Sequence, residues 1–99
     1  MTLKLVAYKD TKLNIFTHPI FFDGDRKNEE IIELFRRMCV DPELPLTYFD
    51  YDIYELGSFD DKTGQFETHD PEFLVSLADY KYLRPVTDKK EVTEDVSQS

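Results

Sequence analysis

The run Tyr51-Asp52-Ile53-Tyr54-Glu55-Leu56-Gly57-Ser58-Phe59-Asp60-Asp61-Lys62-Thr63-Gly64 constrains the fold more than any other part of this chain. β-branched and aromatic residues alternating at period two predict a strand over Asp50 to Phe59. In that register Ile53 and Phe59 share one face, while Tyr54 and Leu56 share the other. Apolar groups on both sides predict a central strand, or a strand with one face in an oligomer contact. Gly57 in mid-strand predicts a bulge or a close backbone approach. Asp61-Lys62-Thr63-Gly64 fits a type I turn followed by a left-handed glycine, so Gln65 to Thr68 is the expected return strand of a hairpin.

The N-terminal part reads as a second hairpin. Leu3, Leu5 and Ala7 alternate with Lys4, Val6 and Tyr8, and polar Lys9 to Lys12 makes a turn before a strand at Leu13 to Thr17. Pro19 has no N–H to give a ladder, so it marks an edge, a bulge or the end of pairing, with Ile20 to Phe22 resuming the strand. Next comes the clearest helix. Asn28 is the expected cap, Glu29 and Glu30 lie in the first turn, and Arg36 and Arg37 lie near the end, all matched to the helix dipole. Ile31, Leu34, Phe35 and Met38 form its apolar stripe, widened by Ile32 and Cys39. Val40-Asp41-Pro42 ends it. Asp70-Pro71-Glu72 predicts a second, short helix with Phe73, Leu74, Leu77 and Ala78 inward, followed by a short strand at Tyr80 to Leu83.

The resulting order, β-β-α-β-β-α, predicts an α+β domain over residues 1–84. It has a mostly antiparallel sheet of four or five strands, one main amphipathic helix and one short C-terminal helix. Residues 85–99 carry no aromatic and read as a disordered acidic tail. The eight Phe and six Tyr all fall between Tyr8 and Tyr82, enough to build a core without metal or disulfide. Cys39 is the one cysteine, so no internal disulfide forms, and a reducing cytoplasm is expected. No apolar run approaches a membrane span, and the first residues do not make a signal peptide.

Charge narrows the function classes. The chain carries −9. Asp88, Glu91, Glu94 and Asp95 against Lys89 and Lys90 make the tail −2, so residues 1–84 carry −7. Phosphate neutralisation needs clustered Lys and Arg, and Arg26-Lys27 and Arg36-Arg37 are the sole adjacent basic pairs in that part of the chain. Single-stranded DNA is therefore disfavoured as a partner, and a basic protein is favoured. Tyr8, Phe16, Phe21 and Phe22 on strands could stack bases, but their ordinary use is core packing.

No catalytic, cofactor or metal site emerges. His18, Cys39 and His69 lack metal-ligand spacing. Asp60 to Glu67 superficially suggests a calcium loop, but Lys62 occupies a ligand position. No feature selects a catalytic carboxylate pair, so the chain is read as a binding protein and not an enzyme. The expected contact surface is the acidic, aromatic stretch around the third strand: Tyr48, Asp50, Tyr51, Asp52, Tyr54 and Glu55. On a strand, Asp50, Asp52 and Tyr54 fall on one face and Tyr51 and Glu55 on the other. Homodimerisation through an exposed sheet face or edge is a further expectation.

The stretch Leu56-Gly57-x-Phe59-Asp60-x-x-Thr63-Gly64, preceded by Tyr51 and Tyr54, resembles the Y-x-L-[FY]-x-L-G-x-F-D-x-x-T-G signature of the nonstructural protein of gokushovirus-type microviruses, which are small single-stranded DNA phages. The likeness extends over roughly Leu5 to Ala78. Tyr8, Asp10 and Lys12, followed by Phe16 and Pro19, are similar to the family's opening, although Lys9 intervenes between Tyr8 and Asp10. Val40-Asp41-Pro42 resembles the family's helix end. The family's H-P-E-D element is replaced by Thr47-Tyr48-Phe49-Asp50, of which Asp50 alone matches. The resemblance implies a protein made in the cytoplasm of the infected bacterium and absent from the virion. It implies a role in viral DNA replication, at the switch to single-strand synthesis coupled to packaging, and it brings no catalytic residues.

Overall fold

A computed structural model describes residues 1–83, so the expected acidic tail lies outside the described residues. Strands β1 (Thr2–Asp10) and β2 (Ile15–Asp23) form the first hairpin. Helix α1 (Asn28–Cys39) follows, then a 3-10 turn over Leu46–Asp50. Strands β3 (Tyr51–Asp60) and β4 (Phe66–Ser76) form the second hairpin, and a 3-10 helix over Leu77–Leu83 closes the described chain. The four strands make one antiparallel sheet in the order β2-β1-β3-β4, so the expected α+β fold is the one observed.

Helix and 3-10 segments cover one face only. Val6, Tyr8, Ile53 and Val75 project from the sheet onto Ile31, Phe35 and Cys39 of α1, with Phe49 and Leu77 sealing the layer from the 3-10 segments. Tyr8 is the hub: its ring meets those of Phe35, Tyr48 and Tyr51 edge-on, at 5.5, 6.0 and 5.3 Å between centroids. Burial pushes its phenol up to about 12. Cys39 is fully buried and its thiol is raised by desolvation, as suits a small core residue.

The cap of helix α1 is Lys27, one residue before the expected Asn28. The Lys27 carbonyl accepts from the Glu30 and Ile31 N–H groups, and the Glu30 carboxylate accepts the Lys27 N–H at 3.0 Å. Asn28 is not the cap because its side-chain oxygen accepts Lys4 Nζ at 2.7 Å, tying helix to sheet. Leu34, expected inward, is exposed: the buried stripe runs through Ile31, Phe35 and Cys39, which turns Leu34 to the rim. Glu33 receives both Arg36 and Arg37, and hydrogen bonding to Arg36 holds its carboxyl down to about 2.

Two expectations about the C-terminal part are overturned. Asp70-Pro71 does not start a helix; it lies within β4, and Phe73 and Ala78 are exposed rather than inward. The register explains it: Glu55 pairs with Glu72 but Gly57 pairs with Thr68, so β4 carries extra residues at His69-Asp70-Pro71. A bulge on an edge strand has no ladder position for Pro71 to fill, so the proline is tolerated there. Tyr80 to Leu83 is not a strand either; the helical turn comes later than expected, over Leu77–Leu83. The other edge repeats the device. In β2, His18 and Pro19 lie in an irregularity between Ile20 and Thr17, and His18 has φ 51°.

A third bulge in β3 changes which residues share a face. Leu5 pairs with Gly57 and Val6 with Glu55, leaving Leu56 without an opposite residue on β1. Gly57 (φ 155°) sits so close to β4 that a Cβ there would lie 2.1 Å from the Glu67 carbonyl oxygen. The extra residue reverses the alternation beyond it. Phe59 therefore lies with Tyr54 and Leu5, opposite to Ile53, whereas uninterrupted period-two reading puts Phe59 with Ile53. The β3–β4 turn is as expected: Gly64 has φ 75° and its N–H donates to the Asp60 carbonyl at 2.8 Å.

Candidate functional site: the helix-free sheet face

The face opposite α1 is an aromatic surface. Phe16 from β2, Tyr54 from β3 and Phe73 from β4 form one row, with Phe16–Tyr54 and Tyr54–Phe73 centroids 5.5 and 5.6 Å apart, edge-on. Phe21, Phe59 and Phe66 form a second, tilted group at 4.8 to 6.3 Å. Strand β1 runs beneath both with Leu3, Leu5, Ala7 and Lys9, which pair with the ring-bearing positions. Phe66 and Phe73 are more than half exposed, at 57% and 53%, and Phe16 and Phe21 are 40% and 44% exposed. Large apolar groups clustered to this extent on a water-facing sheet are unusual for an isolated domain and make this face the candidate contact surface.

Charge is sparse on this face. Lys9 Nζ lies over the Phe16 and Tyr54 rings, 5.4 and 5.7 Å from their centroids. Asp52 is its cross-strand partner on β3. Neither makes an ion pair among the described residues. Asp23, opposite Leu3, stands at the corner.

The six residues singled out from sequence are divided by the strand. Tyr48 and Tyr51 pack their rings 5.8 Å apart beside Tyr8 on the helix side. Asp50 ends the 3-10 turn, where its carboxylate meets Lys12 at 3.3 Å and its carbonyl accepts from Thr11. Asp52 and Tyr54 lie on the open face, across from Lys9 and Ala7. Glu55 lies across from Val6, on the helix side of the sheet. The stretch is contiguous in sequence and split in space. The strand aromatics are divided in the same way, with Tyr8 and Phe22 on the core side and Phe16 and Phe21 on the open face. Sequence reading missed Phe59, Phe66 and Phe73 as members of one surface. The signal available for them was the glycine, whose bulge resets the alternation.

Outside this face, Glu55, His69 and Glu72 bring donor atoms within 4.8 Å of one another, the one such group among the described residues. Glu55 and Glu72 are direct cross-strand partners, a like-charge pairing that needs a counter-charge. His69 supplies it when protonated: Nδ1–H donates to the Asp70 carbonyl at 2.7 Å and Nε2 lies 3.5 Å from Glu55. The hydrogen bond to Asp70 is the main cause of a raised His69 value, with Glu55 adding to it. A raised folded-state value means that the stabilisation is complete below the unfolded value of about 6.5 and fades as pH climbs through the higher folded one. Replacing Glu55 with Gln is expected to lower the His69 midpoint followed by NMR, and to flatten the pH dependence of stability above neutrality.

Four of the eight lysines and arginines other than Lys9 among the described residues are committed within the chain. Lys4 serves Asn28 and the Arg26 carbonyl, Lys12 serves Asp50, and Arg36 and Arg37 serve Glu33. No helix of the described residues is long and apolar enough to cross a membrane.

An antiparallel sheet covered by helices on one side, open and aromatic on the other, defines a small α+β domain. The chain belongs to the phage ORF5 protein family, which matches residues 3–80. It is thus a phage protein. No curated protein and no solved structure matches it.

Proposed function

We propose that this phage protein is a non-enzymatic binding protein of the gokushovirus-type nonstructural class. It acts through protein contacts in the host cytoplasm to regulate viral DNA replication and its turn to single-strand synthesis and packaging. The observation that carries the reading is the disposition of charge. Residues 1–84 hold a surplus of carboxylates, while Lys4, Lys12, Arg36 and Arg37 are occupied within the chain. A polyanion finds little to neutralise it here, whereas a basic replication or packaging protein does. Electrostatic association of that kind weakens steeply with salt.

The test is capture of the chain from infected cells, with and without nuclease, together with infection by a phage lacking it. The expected complex survives nuclease and dissolves as salt is raised, and the mutant infection accumulates duplex viral DNA with little single-stranded product. A complex that disappears with nuclease, or normal single-strand yield without the protein, overturns the proposal. The second reading is direct single-stranded DNA binding, which the ring rows and Lys9 on the open face favour. It requires an oligonucleotide to bind the purified chain at low salt.

A further inference from the structure

We propose that the helix-free sheet face is covered by a second copy of this chain, giving a closed two-fold dimer in which the aromatic rows of two sheets pack face to face. This goes beyond the proposed function and does not depend on which partner the acidic surface meets.

Three observations select a second copy as the occupant. The first is charge. Two molecules that each carry −9 repel through almost any surface, so a self-contact needs one that is nearly neutral. At the positions fixed by strand register, the open face carries Lys9 and Asp52, with Asp23 at its corner. Lys9 and Asp52 are adjacent, opposite in sign and free of ion pairs among the described residues. A two-fold axis passing near them sets Lys9 of each copy against Asp52 of the other, which is the self-complementarity that a symmetric interface requires. The second is area. Four strands about 4.8 Å apart and about eight residues long give a face of about 500 Å2 in plan. Rings standing off that plane raise the accessible area. Two such faces bury on the order of 1,200 Å2 in total, the lower end of the range for stable dimers. The third is the edges. Both outer strands, β2 and β4, are interrupted by irregularities that hold Pro19 and Pro71. These obstruct strand addition, so association is directed to the face and stops at two copies.

The rings then form a β-sandwich core. Sheets packed in this way stand about 10 Å apart with interdigitating side chains. Phe66 and Phe73 anchor the contact from β4, and Tyr54 fills its centre. Each is an aromatic at a site desolvated by association, the kind that dominates interface energetics.

Sedimentation equilibrium of the purified full chain at micromolar concentration is the test. The expected species has twice the 11.7 kDa chain mass. The double variant Phe66→Ser/Phe73→Ser replaces residues already exposed in one chain. It is expected to keep the circular dichroism of the parent and to weaken association at least about 100-fold. Lys9→Asp and Asp52→Lys are each expected to be monomeric, and an equimolar mixture of the two is expected to dimerise. Only contacts between copies can produce that rescue. A monomeric parent, a Phe66→Ser/Phe73→Ser variant that stays dimeric, or a mixture that stays monomeric overturns the proposal. So does a monomeric parent that binds oligothymidylate through Phe66 and Phe73, which would make the face a single-stranded DNA platform.

Discussion

Phe35→Ala is expected to destabilise the domain by about 3–5 kcal/mol, the largest effect of any single truncation in the chain. Phe35 lies at the centre of the one buried layer, 4% exposed, with its ring 5.5 Å from Tyr8 and 6.4 Å from Phe22. Removing it opens a ring-sized cavity between α1 and the sheet. It also withdraws an edge-on partner from Tyr8, the residue against which Tyr48 and Tyr51 stack. A small domain has about 5–15 kcal/mol of stability in all, so the loss takes a large share of it. Urea denaturation is the measurement: the midpoint falls and the slope stays the same, since the variant unfolds the same surface. A shift of less than about 1 kcal/mol would show that α1 does not depend on this contact.

Gly57→Val is expected to cost about 2–6 kcal/mol, combining backbone strain with a forced parting of strands. The positive φ of Gly57 suits glycine, and the Cβ site lies 2.1 Å from the Glu67 carbonyl oxygen, a backbone atom with no side-chain freedom to yield. To accommodate Val, β3 must separate from β4 or the bulge must move. A moved bulge would shift Phe59 and Phe66 relative to Tyr54 and Phe73, so the variant also misaligns the two aromatic groups. Gly64→Asn is the control. Gly64 has φ 75°, a region Asn tolerates, and nothing lies within 4 Å of its Cβ site, so a loss under about 1 kcal/mol is expected. Thermal melts of both variants, with amide exchange across the β3–β4 ladder, give the comparison. Equal losses in the two would remove the special role assigned to the bulge.

Local patterns were legible wherever a residue's neighbours in sequence are also its neighbours in space. Helix α1 could be read from its acidic start, basic end and apolar period, and the β3–β4 turn from Asp60 to Gly64. Asp70-Pro71 misled because the same dipeptide suits a helix start and a bulge on an edge strand, and only pairing with β3 decides between them. Leu34 misled because an apolar residue beside the stripe looks the same whether or not a partner covers it. The acidic, aromatic stretch from Tyr48 to Glu55 was visible as composition, but a strand sends alternate side chains to opposite sides. Its tyrosines therefore serve two different surfaces.

The amino-acid order alone determined that the chain is acidic, rich in aromatics, α+β in class and built on a glycine-interrupted strand, because each of these properties is set by composition or by spacing within a few residues. Only the tertiary structure decided which aromatics are core and which are surface. That choice depends on one extra residue in β3 and the extra residues in β4, whose effect on side-chain direction is felt across strands far apart in sequence. The same pairing decided that Glu55, His69 and Glu72 meet, and that Phe16, Tyr54 and Phe73 form one row. A cross-strand neighbour is chosen by register, and register is a property of the assembled sheet.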